Sequence, residues 1–347
     1  MRYSVVIPVY NRPDELDELL GSLSSQSEKD FEVVVVEDGS TLTAEKVCEK
    51  YSDKMSLRYF FKENGGPGPA RNYGVEKAEG EFVIILDSDC VLPDGYLEAV
   101  TKEIDEHDCD AFGGPDAAHE SFTDIQKAIS YSMTSFFTTG GIRGGKKKLD
   151  KFYPRSFNMG IKREVYMKMT GFSNMRFGED IDFSYRILEN GYTCRLFPEA
   201  WVWHKRRTDL RKFFKQVFNS GIARINLEKR HPGTMKLVHT LPMLFTVGVI
   251  SLVLLSVVLE VISLAGGVHG CVTPQTALLP LVPLLLYALL IFSHSAYKHG
   301  NLWIGVLSVA AAYVQLVGYG LGFLKAWWLR CVLGKSEFAA FERNFYD

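Results

Sequence analysis

Three long apolar runs crowd the last third of the chain, and they limit its fold more than any other feature. Leu241 to Leu259 is uncharged and closes at Glu260. Val272 to Phe292 carries Pro274, Pro280 and Pro283, and Leu302 to Leu324 follows. Each is close to the ~20 residues that cross a hydrocarbon core as a helix. The charge distribution agrees: of 39 basic and 41 acidic side chains in 347 residues, only nine follow Lys236. A multi-pass membrane region of about three helices is expected over 237–325, with a short tail at 326–347. The net charge of −2 argues against a nucleic-acid partner, which calls for a basic patch or stripe.

Lys and Arg set the orientation. Ten of them lie from Lys205 to Lys236, directly before the first run, and none lies from Ala265 to Gln275. The N-terminal part is therefore expected on the cytoplasmic face of the cell (inner) membrane. The run Val5-Val6-Ile7 stops at Pro8, too early for a secretory leader. Three spans would leave the tail outside, yet Lys325 stands directly before it and it carries Arg330, Lys335 and Arg343, so its side stays open. Over 206–236, Leu210, Phe213, Phe214, Val217, Phe218, Ile222 and Ile225 share one helix face, with Arg211, Lys212, Lys215 and Arg224 among them. Such a basic amphipathic helix suits an anionic lipid surface; the alternative is a surface helix packed on the domain. Six scattered cysteines, with no Cys-x-x-Cys, argue against a zinc ribbon or a disulfide framework.

The first 90 residues alternate strand and helix signals. Strands are expected at Tyr3–Val9, Phe31–Val36, Leu57–Phe61 and Phe82–Leu86, and helices at Asp14–Ser24, Ala44–Tyr51 and Pro69–Ala78. This order implies an α/β, doubly wound, mostly parallel sheet, whose ligands bind beyond the carboxyl ends of the strands. Those ends carry Pro8, Tyr10 and Arg12; Asp38; a glycine-rich turn leading to Arg71; and Asp87-Ser88-Asp89. Asp38 suits a base or ribose, Arg71 a phosphate, and Asp87 with Asp89 a hard divalent cation. Further along, Gly178-Glu179-Asp180 opens an expected helix from Asp180 to Glu189. There Asp180 is either a functional carboxylate or an acid favoured by the helix dipole.

The series Val-Ile-Pro-Val-Tyr-Asn (6–11), Val-Val-Glu-Asp-Gly-Ser (35–40), Gly-Pro-Ala-Arg-Asn-Tyr-Gly (68–74) and Asp87-Ser88-Asp89 resembles the nucleotide-sugar half of glycosyltransferase family 2, whose members have the GT-A fold. Asn158-Met159-Gly160, Gly171-Phe172 and Gly178-Glu179-Asp180-Ile181-Asp182 resemble its acceptor half. The resemblance implies a transferase domain over 1–205, with a donor half at 1–90 and an acceptor half at 91–205. It places the nucleotide-sugar site at Pro8, Tyr10, Arg12, Asp38, Arg71, Asp87 and Ser88. Mg²⁺ or Mn²⁺ would sit on Asp87 and Asp89, and the catalytic base would be Asp180. Asn158, Gly178 and Glu179 would lie near the sugar or acceptor. His204 stands where some members complete the metal shell; beside Lys205 and Arg206 it reads equally as a surface residue.

The implied reaction is inverting transfer of one sugar from a nucleotide-diphosphate sugar, a UDP-sugar before a GDP-sugar, to a lipid-linked or saccharide acceptor in cell-surface glycan synthesis. The interfacial region reads Gln216-Val217-Phe218-Asn219-Ser220-Gly221-Ile222-Ala223-Arg224, without the Gln-x-x-Arg-Trp of processive synthases. A silent sugar-nucleotide-binding protein and a polysaccharide synthase are the alternatives. The glycine-rich basic stretch from Thr139 to Asp150 reads as a mobile flap or as a plain connector.

Overall fold

The computed structural model describes residues 1–117, 122–139, 152–265 and 273–337. The chain forms two compact units, an α/β unit and a helical one. The α/β unit begins β1 (Tyr3–Val9), α1 (Pro13–Ser24), β2 (Phe31–Asp38), α2 (Glu45–Tyr51), β3 (Ser56–Lys62), α3 (Pro67–Lys77) and β4 (Phe82–Leu86). The four strands and three helices expected from the alternation are all present, with ends within two residues. The unit continues with β5 (Cys90–Val91), α4 (Tyr96–Glu106), β6 (Ala111–Gly113) and β7 (Asp116–Ala117).

Two helices between these elements and the rest of the sheet, α5 (Asp124–Thr134) and α6 (Phe136–Thr139), belong to the helical unit. The sheet then resumes with β8 (Asn158–Lys162), α7 (Arg163–Lys168), α8 (Glu179–Glu189), β9 (Cys194–Leu196) and β10 (Val202–His204).

The main sheet has the order β3-β2-β1-β4-β8-β6-β9. It is parallel except at β8, which runs antiparallel to both β4 and β6. Strand side chains alternate between two buried faces. Val5, Ile7, Val33 and Val35 pack with Leu16, Leu19 and Leu97 on one side. Val6, Val34 and Val36 pack with Ala70, Phe172 and Phe183 on the other. Both faces are covered, as a parallel sheet built through helical crossovers requires. A second sheet, β5-β10-β7, has strands of only two or three residues. It pairs His204 with Cys90, and so brings the end of the unit back to the Asp87–Asp89 turn.

The helical unit contains α5, α6, α9 (Leu210–Arg230), α10 (Leu237–Leu264), α11 (Pro274–Ala277), α12 (Val282–His299) and α13 (Leu302–Trp327). Among the described residues, three segments, Leu237–Leu264, Pro274–His299 and Leu302–Val332, are long and apolar enough to cross a membrane, with mean hydropathies of 2.6, 2.2 and 1.7. The prolines of the second do not kink a helix interior. Pro274 opens α11, Pro280 lies in a 3₁₀ turn (Leu279–Leu281), and Pro283 sits in the first turn of α12, where a missing N–H is tolerated.

The third segment is the hub of this unit. In its most apolar stretch 44% of residues are buried, against 6% and 11% for the others. Glycine makes this possible. A Cβ at Gly322 would collide with the Phe218 carbonyl, and one at Gly221 with that of Tyr319, so α9 and α13 meet backbone to backbone. The apolar face of α9 lies in this contact. Phe213 and Val217 pack with Ala128, Ile304 and Ala311, and Ile222 and Ile225 pack with Phe323 and Ala326. Small residues that allow close approach are the usual means of joining helices where burial in water supplies no driving force.

Candidate active site

The carboxyl ends of β1, β2 and β4 are tied together by the residues that follow them. Asn11 adopts a left-handed conformation (φ 52°), which asparagine tolerates. Its Oδ1 accepts from the backbone N–H groups of Thr41 and Leu42 at 2.9 and 2.8 Å. Asp38, 1% exposed, accepts from Lys62 Nζ at 2.8 Å and from the backbone N–H groups of Gly65 and Gly66 at 2.9 and 2.8 Å. It therefore anchors the turn that feeds α3. Lys62 is its cross-strand neighbour on β3.

From α3, Arg71 reaches two carboxylates. Its Nη2 donates to Asp87 Oδ1 at 2.8 Å and its Nη1 to Glu179 Oε1 at 3.1 Å, while the guanidinium lies over the Phe172 ring. Arg71 is 4% exposed. A buried guanidinium is stable only when paired in this way. Arg71 thus joins the Asp87–Asp89 turn after β4 to the start of α8. Ser88 is buried between Asp87 and Asp89.

Asp89 is the meeting point of the second group. Its Oδ2 accepts from Arg12 Nη1 at 2.8 Å, and its Oδ1 lies 3.2 Å from His204 Nε2. Arg12 also pairs with Glu15 at 3.3 Å. His204 stacks on Phe157, with ring centroids 4.9 Å apart, and the Lys205 N–H donates to the Asp89 carbonyl at 3.1 Å. Asp89, Cys90 and His204 offer ligand atoms within 4.8 Å of one another. A carboxylate oxygen and an imidazole nitrogen converging on one point fit Mn²⁺ or Mg²⁺, with the carboxylate the harder donor. Asp87 is turned to Arg71 rather than into this group. The Cys90 thiol is buried and donates to the Phe157 carbonyl at 3.5 Å; burial, followed by the neighbouring aspartates, pushes its pKa up.

At the start of α8, Gly178 (φ 84°) turns the chain so that Glu179 and Asp180 fall in the first helical turn. Asp180 Oδ2 accepts from Arg155 Nε at 2.6 Å, and Oδ1 from the N–H of Ile181 at 2.9 Å. Burial raises Glu179, and Asp180 raises it further, to about 7, while Arg71 opposes both. Burial also acts to raise Asp180, but the Arg155 guanidinium outweighs it and holds the carboxyl below its ordinary range.

Asn158, 1% exposed, accepts from Tyr96 Oη at 2.6 Å and donates to the Ala200 carbonyl at 2.8 Å, so both ends of its amide are engaged inside the unit. Pro8 and Tyr10 stand half-buried at the end of β1. The structure thus links Arg12, Asp89 and His204 in one set and Arg71, Asp87 and Glu179 in another, with Asp180 next in the chain.

The profile of glycosyl transferase family 2 matches residues 4–170. The chain carries a glycosyl transferase family 2 domain. Over 114 residues, 32% of the chain, it is 42% identical to the poly(ribitol-phosphate) beta-N-acetylglucosaminyltransferase TarS of Staphylococcus aureus, and the match covers 20% of that protein. Over 213 residues, 60% of the chain, it is 27% identical to the minor teichoic acid biosynthesis protein GgaB of Bacillus subtilis, covering 23% of that protein. The matched stretch is therefore under a quarter of either relative. The fold is similar to that of the mannosyltransferase PcManGT from Pyrobaculum calidifontis, solved with GDP-Man and Mn²⁺. That similarity has a TM-score of 0.56 and 17% identity over 93% of this chain and 87% of that one.

Motif reasoning missed Arg155, Lys62 and Phe157. Lys62 was open to discovery, because aligning β2 with β3 sets it beside Asp38. Arg155 and Phe157 belong to no motif, and only folding brings them to Asp180 and His204. The stretch 139–150 lies, apart from Thr139, outside the described residues.

Proposed function

We propose that the protein transfers a single sugar, with inversion, from a nucleotide-diphosphate sugar to a hydroxyl of a saccharide or lipid-linked acceptor, in cell-surface glycan synthesis. The observation that carries this reading is the division of the acids into two differently built groups. Asp89 and His204 bring a carboxylate oxygen and an imidazole nitrogen within 3.2 Å of each other, while Asp180 has its own cationic partner in Arg155. Inverting transfer needs one cationic centre at the leaving diphosphate and one base at the attacking hydroxyl.

Asp89 and His204 would hold a divalent ion, with Asp87 close by. When bound, the ion supplies Lewis-acid neutralisation of the leaving diphosphate. Arg12 orients Asp89, and Arg71 orients Asp87 against the start of α8. Asp38 holds the Gly65–Gly66 turn on which a nucleobase would rest. Asp180 accepts the proton of the acceptor hydroxyl, a role worth about 10²–10⁴-fold in rate. The family resemblance makes a UDP-sugar the first donor to try, and a GDP-sugar the second. The three apolar helices and the basic residues before them favour a membrane location, with the α/β unit on the cytoplasmic face and the acceptor presented at the lipid surface.

The test uses the full chain in detergent, with Mn²⁺ or Mg²⁺, a panel of nucleotide sugars and a lipid extract, followed by mass spectrometry. Nucleotide diphosphate release and a product one sugar heavier are expected. Failure with every donor, or undiminished transfer by Asp180→Asn, would overturn the reading.

A further inference from the structure

Two acids stand in consecutive positions at the start of α8, both largely buried: the Asp180 side chain is 11% exposed and that of Glu179 14%. A helix N-terminus favours negative charge, but two adjacent buried carboxylates repel, so one of them tends to hold a proton. The arginines around them are shared unequally. Arg71 divides its guanidinium between Glu179 and Asp87. Arg155, among the described residues, makes its ion pair with Asp180 alone. The other charges that bear on Arg155, both more weakly than Asp180, are Glu179 and then Asp116.

Arg155 is also held in place from several sides. The hydroxyl of Ser184, on α8 itself, donates to the Pro154 carbonyl at 2.7 Å. Tyr153 meets Tyr185 of α8 edge to face, with centroids 5.1 Å apart. The Asn158 N–H donates to the Arg155 carbonyl at 3.1 Å, which ties the residue to the start of β8. The segment that carries the guanidinium is therefore pinned to the helix that carries the carboxylate. Its side chain is 40% exposed, so this ion pair is not a device for burying charge. A surface ion pair without such bracing contributes little; a braced one sets geometry.

We propose that Arg155 is a positioning residue that fixes the Asp180 carboxylate and reserves it, rather than Glu179, as the ionised base. This rests on the transferase reading above and deepens it. The Nε–H occupies one lone pair of Oδ2 and leaves the other for the acceptor hydroxyl. Without Arg155, the proton that Glu179 holds is shared with Asp180, and the base is lost in the acid range.

The experiment is steady-state transfer by the full chain from pH 5 to 9, with nucleotide affinity measured in parallel by calorimetry. Arg155→Met should lower kcat about tenfold or more near pH 6 and recover toward the wild-type rate by pH 9, with nucleotide affinity unchanged. Arg155→Lys should keep a profile close to that of the native chain. In a Glu179→Gln background the pH shift caused by Arg155→Met should shrink, because the competing carboxylate is gone. An unchanged profile in Arg155→Met, a rate reduced equally at every pH, or lost nucleotide affinity would overturn the proposal. So would Arg155→Lys behaving like Met. Full transfer by Asp180→Asn would instead remove the base reading beneath it, a result distinguishable from all of these.

Discussion

The two units of this chain are held by opposite means. In the α/β unit, the ends of the strands are organised by charge: Arg12 with Asp89, Arg71 with Asp87 and Glu179, Arg155 with Asp180, and Lys62 with Asp38. In the helical unit, α9 and α13 are joined by the absence of side chains at Gly221, Gly318 and Gly322. A pair with a solvent-exposed partner, such as Arg12 with Asp89 or Arg155 with Asp180, can lose one group while the fold survives. A contact made by missing Cβ atoms accepts no added volume. Sensitivity to chemistry should therefore concentrate in the first unit, and sensitivity to size in the second.

The sharpest contrast should come from the ligand pair. Asp89→Ala or His204→Ala should reduce metal-dependent turnover by at least about 100-fold with little change in melting temperature. Mn²⁺ titration against nucleotide binding, alongside thermal unfolding, measures both. Equal loss in stability and activity would break the distinction.

The reverse pattern is expected for Gly322→Leu. Its new side chain meets the Phe218 carbonyl, so α9 and α13 must separate, at about 3 kcal/mol or more. Thermal denaturation in detergent should show this, while nucleotide affinity of the surviving folded fraction stays at the native value.

Asp38→Asn should have an intermediate effect. It leaves the Lys62 ammonium with a weaker acceptor and loosens the Gly65–Gly66 turn, at about 1–3 kcal/mol. Raised KM for donor, with kcat less affected, is the kinetic signature.

The smallest effect is on pH dependence. Glu179 is raised from an ordinary value of 4.5 to about 7, so the folded protein holds a proton there that the unfolded chain has lost. Stability from this group is complete below about pH 4.5 and disappears as the pH rises through about 7. Glu179→Gln should therefore gain on the native chain in melting temperature between pH 5 and pH 8. A gap that narrows over this range would contradict the assignment.

Much of the α/β unit was readable in the chain itself, because β-branched runs separated by helical stretches leave few other topologies. β1 to β4 could be placed, and with them the strand ends bearing Arg12, Asp38, Arg71 and Asp87 to Asp89. The small sheet could not. Strands of two or three residues carry no periodicity, yet β10 on β5 is what sets His204 against Asp89, 115 positions away. Arg155 was hidden for a related reason: one arginine in a connecting segment has no pattern until Ser184 and Asn158 pin its backbone. In the helical unit the apolar face of α9 was evident, but its neighbour was not. A hydrophobic stripe looks the same facing lipid or α13, and the glycines that decide it lie about a hundred residues downstream.

The central claim is that Asp38, Asp89 and Asp180 serve one bound molecule from three strand or helix ends. Calorimetry of a nucleotide diphosphate with Mn²⁺, paired with sugar transfer, tests it on Asp38→Asn, Asp89→Asn and Asp180→Asn. The account predicts that the first two weaken nucleotide binding, while the third binds as the native chain does and no longer transfers. Native binding and native transfer in any of the three would contradict it.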